Sequence, residues 1–291
     1  MTKPGIRLPA VLRQIPPLPQ VAVRALELIR DPGSSRAALA HVLSLDQAMT
    51  GRFLHLVNSA YYGLPRRITS LDEAIGFLGY ERVHEVVVAV AASRYLTQPL
   101  PAYGLEGGML WPHAVAVATG SDAIARQKGV RPYSEAYVAG LLHDTGKLAL
   151  DIVMHHRADW ATAERKEDGR DDLADWTEIE RHITGYDHAA LGAAIARGWN
   201  LPDRVVEAIG CHHAPSTAVL DPCLAAIVHV ANAAALMAGI GLGIDGMQYV
   251  LDAEAVAALE WGDDEMSHLM EGMRLAVQNA TTAVGLPFAL P

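Results

Sequence analysis

Ala136 to Leu148, AYVAGLLHDTGKL, changes character halfway along. Its first part is apolar or small and suits the inside of a helical bundle; then come His143-Asp144 and Thr145-Gly146-Lys147. A His-Asp pair at the end of a buried run carries two polar groups to the edge of a core. Burying a carboxylate is costly unless a cation accepts it. A divalent metal does so, and one Asp can bridge two metals through its two oxygens. Gly146 lets the backbone turn without a Cβ penalty. Lys147 is placed to neutralise Asp144 or to meet a phosphate. Asp144 capping the next helix, with Lys147 as its ion-pair partner, accounts for the same residues equally well.

Outward from this stretch, helix signals run in both directions. Pro19 opens VAVRALELIR, which stops at Asp31-Pro32 as a helix should before proline. Ser34 and Ser35 are N-cap candidates for RAALAHVLSL. A third helix is expected over Asp46 to Val57, and NSAYYGLPRR (Asn58 to Arg67) reads as a connector. Ser70 to Glu73 forms a capping box for a short helix ending near Gly79, and a longer helix follows from Glu81 to Leu96. Thr97 to Gly108, TQPLPAYGLEGG, holds two prolines and three glycines and marks the expected boundary between residues 1–100 and 101–291. Beyond it, helices are expected near 109–128, 134–142, 147–155, 186–197, 202–211, 221–238 and 263–283. Thr177 to Glu180 reads as a second capping box, and Glu164 to Asp175 as a solvated charged segment. No period-2 strand pattern occurs. The fold class is all-α, with two helical lobes.

Composition agrees. Of 291 residues, 51% are hydrophobic and only 6% aromatic, which excludes a disordered chain and favours closely packed small aliphatic side chains. A net charge of −10 argues against general nucleic-acid binding. Two cysteines, Cys211 and Cys223, make no disulfide framework and fit a reducing compartment. The N-terminal stretch lacks the apolar core of a signal peptide, and the longest apolar candidate, Val83 to Leu96, is interrupted by charge. A cytoplasmic protein with no membrane partner is the expectation.

Thirteen histidines are the compositional oddity. His113 sits in an apolar helix, where a lone His is more often a satisfied core residue. His188 follows Asp187, its expected cap, at a helix start. His212-His213 end a helix before Pro215; adjacent residues inside a helix would point about 100° apart, but at a terminus both can turn to one site. His229 and Asn232 share one face of a very apolar helix, and Asn232 needs a partner there. His155-His156 read as solvent-facing, and His41, His55, His84, His182 and His268 take no role. In the first lobe, Asn58-Ser59 should cap backbone, Tyr61-Tyr62 should pack, and Arg66-Arg67 read as a solvated pair. Trp111-Pro112 should wedge the lobe junction, with Trp160, Trp176, Trp199 and Trp261 in core or interface positions.

The order His113, His143-Asp144, His188, His212-His213, then a polar residue at 232, resembles the HD superfamily of metal-dependent phosphohydrolases. IPPLPQVAVRALELIRDP, LSLDQAMTGRFLHLVNSAYYGLPRRITSLDEAIGFLGYERV and LWPHAVAVA, followed by AYVAGLLHDTGKL, narrow the resemblance to the HDOD family (HD-related output domain) over roughly Ile15 to Ala238. The resemblance implies a helical lobe on an HD-like lobe and a role in bacterial signalling or regulation. Many members lack the metal ligands, whereas this sequence keeps nearly the full set. Carried over, His113, His143 and Asp144 would hold one metal. Asp144 would bridge to a second held by His188, His212 and His213. Asn232 stands where the family usually has an Asp, so that ligand brings no charge. Iron is the favoured metal; manganese, nickel or zinc also suit imidazole-rich sites, with one or two ions bound. The HD-GYP group, which hydrolyses cyclic di-GMP, has Gly-Tyr-Pro after its paired histidines; here Ala214-Pro215-Ser216 follows, and Met109 stands where that group has a ligating Glu.

Two functions follow as expectations. One is a regulatory protein that binds metal and acts through a protein partner or a nucleotide or phosphate ligand. The other is a binuclear phosphohydrolase in which Asp144 and Lys147 are catalytic. A di-iron redox or oxygen sensor is a third reading.

Overall fold

The computed structural model describes residues 11–154, 176–241, 243–245 and 250–284. Residues 1–10, His155-His156, Trp160 and the charged segment Glu164 to Asp175 lie outside them.

The first lobe is built from α1 (Gln20–Arg30), α2 (Arg36–Ser44), α3 (Gln47–Val57) and α4 (Leu71–Leu96). Each start has a local cause. Ser35 Oγ accepts from Ala38 N–H at 3.1 Å, Asp46 Oδ1 from Met49 N–H at 3.0 Å, and Ser70 Oγ from Glu73 N–H at 3.3 Å. The break expected near Gly79 is there: its φ of 72° and ψ of 167° kink α4 without interposing a loop. Asn58 closes the connector after α3. Its Nδ2 donates to Leu54 O and Ile68 O, and its Oδ1 accepts from Ile68 N–H at 2.7 Å. Tyr61 and Tyr62 pack edge to face at 4.9 Å, and Arg66 pairs with Glu73. Val86 to Ala92 are buried on every side, because α4 lies between α1–α3 and the second lobe.

The second lobe comprises α5 (Leu110–Lys128), α6 (Tyr133–Leu142), α7 (Gly146–Met154), α8 (Trp176–Thr184), α9 (His188–Gly198), α10 (Asp203–Cys211), α11 (Pro222–Met237), α12 (Ala253–Ala258) and α13 (Asp263–Val284). Helix α5 is its axis, flanked by α6, α11 and α13. The short α12 was not anticipated; six residues are too few to show a helical period. Trp176, Trp199 and Trp261 are buried. Trp199 meets Tyr95 of the first lobe at 5.3 Å, and α13 reaches back to α3, so the apolar interior runs unbroken through both lobes. Within the 97–108 segment, Leu100 and Leu105 form an isolated antiparallel bridge that presents Tyr103 inward. Among the described residues there is no other strand pairing, and no helix is long and apolar enough to cross a membrane.

One ionic cluster lies where α4 meets α5. Arg82 Nη1 lies 2.8 Å from Glu85 Oε2 and 3.2 Å from Asp122 Oδ2, and Arg126 Nε donates to Asp122 at 2.9 Å. Glu85 is fully buried. Burial pushes its carboxyl up to about 8, against the pull of Arg82 and with a further push from Asp122. Between about pH 4.5 and 8 the folded chain therefore holds a proton that the unfolded chain has released, and this group's contribution to stability falls as pH rises through that window. Unfolding by urea at pH 5, 6.5 and 8 should show wild type losing on the order of 1–3 kcal/mol relative to Glu85→Gln. Parallel pH profiles for the two proteins would contradict this.

Candidate metal centre

Five imidazoles and one carboxylate converge between α5, α6, α7, α9 and α10. His113 lies in the first turn of α5, His143 caps the end of α6, Asp144 follows it into α7, His188 opens α9, and His212-His213 end α10. Ligand atoms of His113, His143 and Asp144 lie within 4.8 Å of one another, as do those of His188, His212 and His213. Asp144 joins the groups. Its Oδ2 is 3.5 Å from His113 Nε2 and 3.4 Å from His143 Nε2, while its Oδ1 is 3.4 Å from His188 Nε2.

Local structure fixes the orientation of four of the five rings through Nδ1. His143 Nδ1 and His212 Nδ1 turn back to the carbonyls of Gly140 and Ile209, at 2.8 and 2.7 Å, in the last turns of their own helices. His113 Nδ1 lies 3.0 Å from Ile240 O. His188 Nδ1 lies 2.8 Å from Glu180 Oε2, and Asp187 caps α9 through Ala190 N–H at 2.7 Å. With Nδ1 committed as donor, each Nε2 lone pair faces the interior, as metal-binding histidines require. His213 Nε2 approaches His188 Nε2 to 2.8 Å. Atoms bound to one ion at about 2.0–2.2 Å sit roughly 3 Å apart. Among the described residues, His143 Nε2 and Asn232 Oδ1 are buried and have no hydrogen-bond partner. These orphaned atoms and inward nitrogens fit a metal ion.

The electrostatics agree. Burial holds His113 below the ordinary imidazole range and His143 down to about 4, and places His212 and His213 well below that range, so these rings are neutral as ligands must be. Burial also opposes charge on His188, but Glu180 overrides it and holds that ring's pKa up. Burial alone would raise Asp144; His143, Lys147 and His188 around it hold it well below the carboxylate range.

The structure brings together six residues that sequence reasoning singled out, and it adds supports that reasoning missed. Glu180 does not reach back to cap its helix, as the Thr177 to Glu180 pattern suggested. It is fully buried, and its oxygens take His188 Nδ1, the His188 backbone N–H at 2.7 Å and the Tyr103 hydroxyl at 2.7 Å. Its spacing from His188 has no helical period, so nothing local reveals it. His229 likewise supports His212, its Nδ1 lying 2.7 Å from His212 O. Lys147 is buried, 2.6 Å from Asp144 Oδ2 and 2.6 Å from Asp245 Oδ2. Gly146 serves close packing rather than a turn: a Cβ there would lie 1.8 Å from His188 O. Glu180→Gln should weaken metal binding about 10- to 100-fold, the usual effect of removing a carboxylate behind a ligating histidine. Unchanged affinity in a metal titration would show that Glu180 does not tune His188.

The HDOD domain matches residues 15–215, and the chain belongs to the HDOD family. An uncharacterized protein of Treponema pallidum (strain Nichols) is 27% identical over 211 residues, which are 68% of this chain and 37% of that protein. The chain thus spans well under half the length of this curated relative. Two solved structures share the fold. One, described as a candidate phosphohydrolase, is from Shewanella amazonensis (TM-score 0.71, 23% identity, 96% of this chain and 98% of that chain). The other, described as a candidate signal transduction protein, is from Marinobacter aquaeolei (TM-score 0.73, 22% identity, 97% of this chain and 62% of that chain).

Proposed function

We propose that this chain is a metal-bearing regulatory protein that signals through contacts with a protein partner, or through a nucleotide or phosphate ligand, rather than by turnover. The observation that carries the reading is the burial of the histidine and aspartate cluster. Lys147, beside the cluster, is buried and held between two carboxylates in the metal-free chain. The ligand set is itself interior: His143 and His212 are fully buried, and only His213 among the five is half-buried. A sealed centre suits structural or sensory use of metal more than rapid exchange of substrate. The description of the Marinobacter relative points the same way.

The binuclear phosphohydrolase reading is favoured by one specific observation: Asp144 directs one oxygen to each histidine group. Metal ions bound there would supply Lewis-acid activation of water at neutral pH. His113, His143 and Asp144 would hold one ion and His188, His212, His213 and Asp144 the other, with iron the preferred metal. Lys147, once released from Asp245, would meet a phosphoryl oxygen. The two readings separate in a turnover assay of the metal-reconstituted full chain against cyclic dinucleotides, nucleoside phosphates and bis(p-nitrophenyl) phosphate. The regulatory reading expects no hydrolysis above that of His143→Ala. Robust metal-dependent hydrolysis lost in that variant would replace it with the enzymatic one.

A further inference from the structure

The expected ligand set has a charge problem. With neutral imidazoles, Asp144 contributes one negative charge and the adjacent Lys147 one positive charge. Asn232, at the position where a second carboxylate was expected, adds none. The Glu180 carboxylate stands behind His188 on the second ion's side, so on the first ion's side a divalent cation would enter a buried space with no net counter-charge among its immediate neighbours, and uncompensated buried charge is strongly unfavourable.

The connection from α11 to α12 supplies what is missing. Asp245 Oδ2 lies 2.6 Å from Lys147 Nζ, and the same ammonium lies 2.6 Å from Asp144 Oδ2, so one cationic group spans both carboxylates. The connection is seated on the His113 side of the centre by three other contacts. Ile240 O meets His113 Nδ1 at 3.0 Å, Ile244 N–H donates to Tyr103 O at 3.0 Å, and Gly241 (φ 73°) passes so close that a Cβ would lie 2.3 Å from His113 Cβ. An ammonium held between two carboxylates, one of them the Asp144 that joins His113 and His143, marks a position where the fold already binds a cation.

We propose that Asp245 supplies the second carboxylate of the first metal site, where Asn232 offers only an amide, and that Lys147 holds the ion's place until it enters. This rests on the metal-centre reading above. Asp245 lies in a connection rather than a helix, next to Ile244, whose N–H is held by Tyr103 O. Entry of the ion exchanges one cation for another between the same two carboxylates and frees Lys147.

The test uses the full chain stripped with EDTA and titrated anaerobically with Mn²⁺, with ions per chain counted by elemental analysis after desalting and affinities taken from calorimetry. Wild type should take up two ions and Asp245→Asn one. Asp245→Glu, which keeps the charge beside Lys147 but shifts the carboxylate by one methylene, should fold normally and weaken the first ion at least tenfold. Asn232→Asp in the Asp245→Asn background should restore the second ion, whereas Lys147→Met in that background should not. Two ions at wild-type affinity in Asp245→Asn or Asp245→Glu, or restoration by Lys147→Met, would reduce Asp245 to a charge partner of Lys147 and overturn the proposal while leaving the metal centre standing. No ion in wild type would overturn both.

Discussion

Asp144→Ala should abolish metal binding and destabilise the metal-free protein. Asp144 touches both histidine groups and Lys147, and it is almost wholly buried. Its removal takes the shared oxygen ligands from both metal positions, so metal content should fall below about a tenth of wild type, beyond the 10- to 100-fold loss expected for a supporting residue. Removal also leaves the Lys147 ammonium in the interior with Asp245 as its remaining carboxylate. Breaking one side of a buried ion pair costs about 3–5 kcal/mol. Denaturant unfolding of the stripped variant should show a loss of that order, and Asp144→Asn, which keeps the volume but not the charge, should lose nearly as much metal. Wild-type metal content together with wild-type stability would contradict the geometry at its centre.

Gly146→Ala should have the second largest effect, for a reason unrelated to ligand chemistry. The new Cβ would lie 1.8 Å from His188 O and 2.6 Å from Gly192 N, both backbone atoms of α9. No side chain can rotate away, so α7 and α9 must separate. Overpacking of this kind costs about 1–3 kcal/mol, and more where backbone must move. Because His188 opens α9, the same movement draws its ring from Glu180 and Asp144, and metal affinity should fall along with stability. Gly51→Ala is the control. Gly51 is on the exposed side of α3 and nothing lies within 4 Å of its Cβ, so that change should stabilise the protein by about 0.5–1 kcal/mol. Equal melting temperatures for the two variants would contradict the close crossing of α7 and α9.

These residues also show what the sequence could and could not reveal. Helices α1 to α7, α9 to α11 and α13 were legible because each has a local cause: an apolar period, a capping side chain such as Ser35 or Asp187, or a proline or glycine at its end. The six clustered residues were legible through their order along the chain, since His143-Asp144 and His212-His213 are each conspicuous and His113 and His188 take meaning from them. Glu180 and Asp245 were not. Each acts on a partner that only tertiary packing brings near, and each sits in a segment that a capping pattern or a loop explains locally. Gly146 shows the same limit: its lack of a side chain was visible, but the α9 backbone that demands it was not. The short α12 lay below the length at which periodicity can be read.

The central claim is that His113, His143, Asp144, His188, His212 and His213 surround inorganic ions. Elemental analysis of the full chain, purified anaerobically without chelator and set beside Asp144→Ala, tests it most directly. Two transition-metal ions per wild-type chain, and fewer than a fifth of one in the variant, is the expected result. No metal in wild type, even after reconstitution with iron, manganese and zinc in turn, would mean that the histidine cluster is packing alone.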